Sequence, residues 1–103
     1  MVAIIKTTDE FDRWLEKLKD RKASTIILER LRRIRSGLFG DVKFFHGIGE
    51  LRIHYGAGYR IYFAQKGDKI IILLCGGDKS TQSNDIHKAL SLLEDLKNEI
   101  ENL

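Results

Sequence analysis

Arg52, His54, Arg60 and Tyr62 alternate with large apolar residues across "LRIHYGAGYRIYF", residues 51–63. Two guanidiniums, an imidazole and a phenol brought onto one surface offer what an RNA phosphodiester requires. Arginine forks neutralise and grip phosphate oxygens, histidine exchanges protons near neutral pH, and a tyrosine ring can stack on a base. The same residue types also populate the ordinary solvated face of an antiparallel sheet, and the alternation alone leaves both readings open.

A second stretch, "GGDKSTQ" at 76–82, leads from an apolar run into a helical pattern. Backbone N–H groups at such a junction, with Lys79, Ser80 and Gln82 nearby, could cradle a phosphate. A plain turn with Ser80 or Ser83 as cap is the alternative. The spacing of a Walker A loop is absent, so nucleotide hydrolysis is poorly supported. Arg30, Arg32, Arg33 and Arg35 crowd one helix. Arg30 and Arg33 are its candidate RNA contacts, against a solvated face as the alternative. His46, His54 and His87 are too scattered for a metal motif, and no second cysteine joins Cys75, so neither metal nor cofactor is expected.

The elements that must position these residues follow from periodicity. Val2–Lys6 reads as a short strand, and Thr7 or Thr8 before Asp9-Glu10 as a helix cap. Phe11, Trp14, Leu15 and Leu18 form one apolar stripe, and Asp20-Arg21-Lys22 separates that helix from a second over 23–36, with Ile27, Leu31 and Ile34 inward. From Val42 the period becomes two through 42–45, 49–55, 59–65 and 69–75. The last run is apolar nearly throughout, predicting a central strand covered on much of both faces. A final helix begins near Ser80–Ser83 and extends to about Glu101. The order β-α-α-β-β-β-α predicts an α+β fold with helices on one sheet face.

Within the hairpin, a three-residue loop Gly56-Ala57-Gly58 pairs Tyr55 with Tyr59, His54 with Arg60, Ile53 with Ile61 and Arg52 with Tyr62. That register puts Arg52, His54, Arg60 and Tyr62 together on the face away from the helices. A one-residue slip would mix apolar and polar side chains on each face.

At 103 residues, one domain over residues 1–103 is expected. A composition 43% hydrophobic and 32% charged excludes a disordered chain, and a net charge of +3 permits a polyanionic partner without requiring one. No apolar run approaches the roughly 20 residues of a membrane span. With a lone cysteine, this points to the reducing cytoplasm and to no membrane partner.

Together, "GELRIHYGAGYRIYF" and "IIILLCGGDKSTQSNDIHKAL" resemble the RelE/ParE superfamily of bacterial type II toxins, in particular its RelE- and HigB-like group of addiction-module killer proteins. "FDRWLEKLKD" and the arginine-rich helix extend the similarity over nearly the whole chain. The resemblance implies two helices followed by a curved antiparallel sheet. It implies a metal-independent, ribosome-dependent messenger-RNA endonuclease in which the ribose 2′-OH attacks the adjacent phosphate, held inactive by a cognate antitoxin, a helix-turn-helix protein being one type. Carried over by position, Arg60 would stabilise transition-state charge, with Arg52 and Lys79 as phosphate or base-catalytic partners. His54 would act as general acid or base, and Tyr62 would stack on a base or bond the phosphate. Ser80 and Gln82 join Arg30 and Arg33 as RNA or phosphate contacts. Several members carry an important tyrosine near the C-terminus, whereas none follows Tyr62 here, which leaves the acid and base open. A ParE-like inhibitor of DNA gyrase is the alternative within the same superfamily.

Overall fold

The computed structural model describes residues 2–103. Strand β1 (Ile4–Thr7) is followed by helices α1 (Asp9–Lys17) and α2 (Arg21–Arg35). Four strands come next, β2 (Val42–Phe45), β3 (Ile48–Ile53), β4 (Tyr59–Lys66) and β5 (Ile70–Gly77). A 3₁₀ turn at Lys79–Thr81 then leads into helix α3 (Gln82–Glu101). The five strands form one sheet in the order β1-β5-β4-β3-β2, antiparallel except where β1 runs parallel to β5.

Local chemistry sets the boundaries. Thr8 Oγ1 accepts the N–H of Phe11 at 3.0 Å, capping α1, and donates to the Leu74 carbonyl at 2.6 Å, which ties that cap to the sheet. Asp20 caps α2 by accepting the Ala23 N–H at 3.0 Å, satisfying one of the donors every helix start leaves open. His46 and Gly47, both at positive φ, close a two-residue hairpin between β2 and β3, the backbone that a tight turn between twisted strands favours.

Two cores lie on opposite sides of the sheet. On one, Phe11, Ala23, Ile27, Leu31 and Ile34 of α1 and α2 pack against Leu51, Ile53, Ile61, Phe63, Ile71 and Leu73. On the other, Ala89, Ile86, Leu90, Leu93 and Leu96 of α3 cover Ile48, Tyr62, Ala64, Ile72, Leu74 and Cys75. The helices therefore occupy both faces of the sheet rather than the single face that the element order predicts. The cause is β5, apolar at every position from Ile70 to Cys75. Each large apolar side chain left in water would forfeit roughly 1.5–3 kcal/mol, so the second face needs a cover and α3 supplies it. A bulge adds to this: Tyr62 pairs with Cys75 and Phe63 with Leu73, so Leu74 is the extra residue and both it and Cys75 meet α3.

The β3–β4 register is shifted by two residues from the expected one. Ile53 pairs with Tyr59, Arg52 with Arg60, Leu51 with Ile61 and Glu50 with Tyr62, leaving a loop of residues 54–58. Gly56 and Gly58 both take positive φ there, which glycine adopts without steric cost. A two-residue shift preserves the parity of every side chain, so Arg52, Arg60 and Tyr62 still share a face while their neighbours change. Glu50 enters the group and His54 leaves the ladder.

Candidate active site

Arg52 and Arg60 stand directly opposite each other on β3 and β4. Two like charges in that position repel, and the structure places a carboxylate between them. Glu50 is 1% exposed. Its Oε1 accepts from Arg52 Nε at 2.9 Å, and its Oε2 accepts from Tyr62 OH at 3.0 Å and from Gln82 Nε2 at 2.9 Å. Arg60 Nε lies 3.8 Å from the same Oε2, buried and, among the described residues, without a hydrogen bond. Burial pushes the Glu50 carboxyl upward, but the donors Gln82, Arg52 and Tyr62 outweigh it and hold the group below its ordinary range. Arg52 is correspondingly raised, chiefly by its bond to Glu50.

In front of this pair opens a cleft of about 330 Å³, bounded by Arg52, His54, Tyr55, Arg60 and Lys79 with the Gly56-Ala57-Gly58 loop. Arg60 Nη1 donates to the Gly58 carbonyl at 2.9 Å, fixing the loop to the strand. The Lys79 N–H donates to the Ala57 carbonyl at 3.3 Å, which brings the 3₁₀ turn to the cleft while the side chain stays exposed. His54, beyond the end of β3, bonds through Nε2 to Asp41 Oδ2. Asp41 is itself held by its carbonyl, which accepts the Arg52 N–H at 3.0 Å. The histidine hydrogen bond keeps the Asp41 carboxyl below its usual range. With Nε2 on Asp41, Nδ1 is the ring nitrogen left without a protein partner among the described residues.

The structure thus brings together Arg52, Arg60, His54 and Lys79, and reassigns the rest. Tyr62 is wholly buried under α3 with its hydroxyl on Glu50, so it cannot stack on a base. Burial and the Glu50 bond also raise its phenol further above neutrality. Gln82 turns inward to Glu50 rather than outward to a phosphate. Ser80 gives both its N–H and its hydroxyl to Asp78, so a carboxylate already holds the amide that a phosphate would take. Gly76 and Gly77 serve packing: a Cβ at Gly76 would lie 2.4 Å from the Trp14 ring, and one at Gly77 would lie 1.7 Å from Asp85 Oδ2. Arg30 spends its guanidinium on the carbonyls of Arg52 at 2.8 Å and Phe39 at 3.0 Å, stapling α2 to the sheet. Arg33 stays exposed on α2, outside the cleft lining.

Sequence reasoning missed Glu50 and Asp41. For Glu50 a signal existed, since the alternation continues one step before Leu51 and places a carboxylate on the arginine face. For Asp41 none did, because its partner is 13 residues away across a strand pair.

The five-strand sheet with its flanking helices is a RelE-like fold. The chain superposes with a TM-score of 0.61 on a chain of the toxin–antitoxin complex RelBE2 from Mycobacterium tuberculosis, at 15% identity over 77% of this chain and 100% of that one. A Haemophilus influenzae protein described as uncharacterized is 50% identical over 97 residues, which is 93% of this chain and 98% of the relative. Residues 6–94 match the model of the phage-derived Gp49-like proteins, also designated DUF891. By that match, which spans most of its length, the chain belongs to the Gp49-like family of phage-derived proteins.

Proposed function

We propose that this protein is the toxin of a type II toxin–antitoxin pair, of the RelE/HigB-like group, and that it cleaves messenger RNA on the ribosome without a metal. The cleft carrying Arg52, Arg60, His54 and Lys79 is the observation that supports this reading. In the proposed reaction the ribose 2′-oxygen bonds to the adjacent phosphorus and the bond from phosphorus to the 5′-oxygen breaks. The products are a 2′,3′-cyclic phosphate and a 5′-hydroxyl. His54, oriented by Asp41, takes the 2′-OH proton. Arg60 and Arg52 offer terminal guanidinium nitrogens to the non-bridging oxygens, where charge accumulates in the transition state. Lys79 gives a proton to the departing 5′-oxygen, which leaves as the 5′-hydroxyl. The structural neighbour comes from a toxin–antitoxin complex, and a cognate antitoxin is the partner this reading requires, besides the ribosome and its message.

The test is induced expression of wild type and Arg60→Ala, each with and without the neighbouring reading frame, while 5′ ends are mapped on cellular messages. New cuts and growth arrest that disappear together in the mutant are expected. Arrest without cuts would overturn the nuclease assignment and direct attention to a protein target, for which inhibition of gyrase supercoiling is the direct assay.

A further inference from the structure

We infer that Glu50 is the positioning residue of the cleft, aiming the Arg52 and Arg60 forks by engaging their Nε edges from behind. This rests on the cleft being where the arginines meet their anion, as proposed above, but the arrangement is read from the protein's own contacts.

A carboxylate buried in a sheet interior is a poor source of stability, because desolvation offsets most of what its partners return. An apolar residue would fill that place under α3 without the cost. Glu50 instead receives three hydrogen bonds, from Arg52, Tyr62 and Gln82, each from a different strand or helix. It also faces Arg60 Nε at 3.8 Å. Tyr62 and Gln82 have no access to the cleft, so their role is to fix the carboxylate, and the carboxylate in turn fixes the arginines. Both guanidiniums present Nε to Glu50. Among the described residues, no protein hydrogen bond occupies Nη1 or Nη2 of Arg52, or Nη2 of Arg60. Those terminal nitrogens are the ones a phosphate can engage with two parallel bonds. Glu50 also screens the repulsion between two opposed cations, without which the more exposed Arg52 would swing into solvent. Arg60 Nε, buried with no hydrogen bond among the described residues, fits a side chain that completes its bond to Glu50 when an anion draws the fork into place. Glu50 is 1% exposed and never meets the anion.

The experiment compares wild type, Glu50→Gln and Gln82→Ala. Gln82 is half-buried at the start of α3, so its truncation weakens the hub in a protein that still folds. Arginine Nε–H signals are followed by ¹⁵N NMR, assigned with Arg52→Lys and Arg60→Lys, and ribosome-bound message cleavage is measured in parallel. The wild type should show a slowly exchanging Arg52 Nε–H that is lost in Glu50→Gln and weakened in Gln82→Ala. In Glu50→Gln, kcat should fall by about tenfold to a hundredfold with KM little changed, as misplaced rather than absent catalytic groups produce. A protected Arg52 signal that survives in Glu50→Gln overturns the inference, as does a lost signal with unchanged kcat. Loss of the signal in a protein whose wild type cuts no RNA upholds the positioning and sinks the nuclease reading.

Discussion

The two faces of the β3–β4 ribbon differ in what they bury and in how far they are closed. On the α1/α2 face, Leu51, Ile53, Ile61 and Phe63 are all at or below 2% exposure, and the packing is apolar from end to end. On the α3 face the cover is partial. Ile48, Ala64 and Tyr62 lie beneath the helix, but α3 starts only at Gln82, beside Glu50, and the ribbon beyond it carries Arg52 and Arg60 into the open cleft. One face is devoted to stability. The other is stability at one end and, on the proposed function, chemistry at the other, with Glu50 at the boundary.

Neighbouring residues of β4 put this contrast to its strongest test. Arg60→Ala should reduce message cleavage by about 10³-fold, the scale of losing a preorganised charge stabiliser, while the thermal midpoint moves little. Ile61→Ala, one residue along and wholly buried on the other face, should cost roughly 2–5 kcal/mol of stability and leave cleavage per folded molecule unchanged. Paired denaturation and cleavage assays decide it. A stable but active Arg60→Ala, or an Ile61→Ala that loses cleavage per folded molecule, would erase the functional distinction between the faces.

At the mouth of the cleft the expected effects are smaller. His54→Ala should lower cleavage by about 10²-fold, within the range of a lost general base. Asp41→Asn should lower it by about tenfold, because the imidazole remains but its orientation is lost. Single-turnover rates on ribosome-bound message measure both. Equal rates for Asp41→Asn and wild type would show that the Asp41–His54 contact orients nothing.

The faces were legible in the sequence because parity is robust: a strand pattern of period two survives a register error of two residues. That is why the α1/α2 core, with Ile27, Leu31 and Ile34 inward, and the grouping of Arg52 with Arg60 could be read from alternation. The partners were not legible. A loop of three residues and one of five give identical apolar matching, and only the backbone at 54–58, with Gly56 and Gly58 at positive φ, distinguishes them. Glu50 therefore went unseen and Tyr62 looked exposed. The second helix layer was missed for a different reason. A continuous apolar strand signals burial on both faces without saying which element supplies the second cover. The "GGDKSTQ" turn misled because close packing against Trp14 and Asp85 demands the same glycines as a phosphate cradle.

The boundary residue gives a pH-dependent signature. The Glu50 carboxyl is held below its ordinary range in the folded protein despite its burial. Its contribution to stability is therefore complete above the unfolded value of about 4.3 and is lost as the pH falls through the lower folded value. Urea midpoints measured from pH 7 downward should drop more steeply in wild type than in Glu50→Gln once the pH passes below about 4. Parallel curves would mean that the hydrogen bonds from Gln82, Arg52 and Tyr62 do not stabilise the charged form.

The smallest expected effect comes from the closed end of the α3 face. Cys75 is 1% exposed, its thiol pushed up to about 12 by burial and by the nearby Asp85, and its Sγ donates to the Asp85 carbonyl at 3.5 Å. A thiol so placed supplies almost no thiolate at neutral pH, so alkylation should proceed only as fast as the protein opens, and cleavage should be indifferent to Cys75→Ala. The informative quantity is the labelling rate set against global unfolding. If the two coincide, α3 opens only with the whole sheet, and the cleft's boundary at Gln82 and Glu50 is rigid. If labelling is faster than unfolding, α3 lifts from the sheet by itself. Gln82 would then leave Glu50 in the open form, and the arginine pair would lose its support whenever the helix moved.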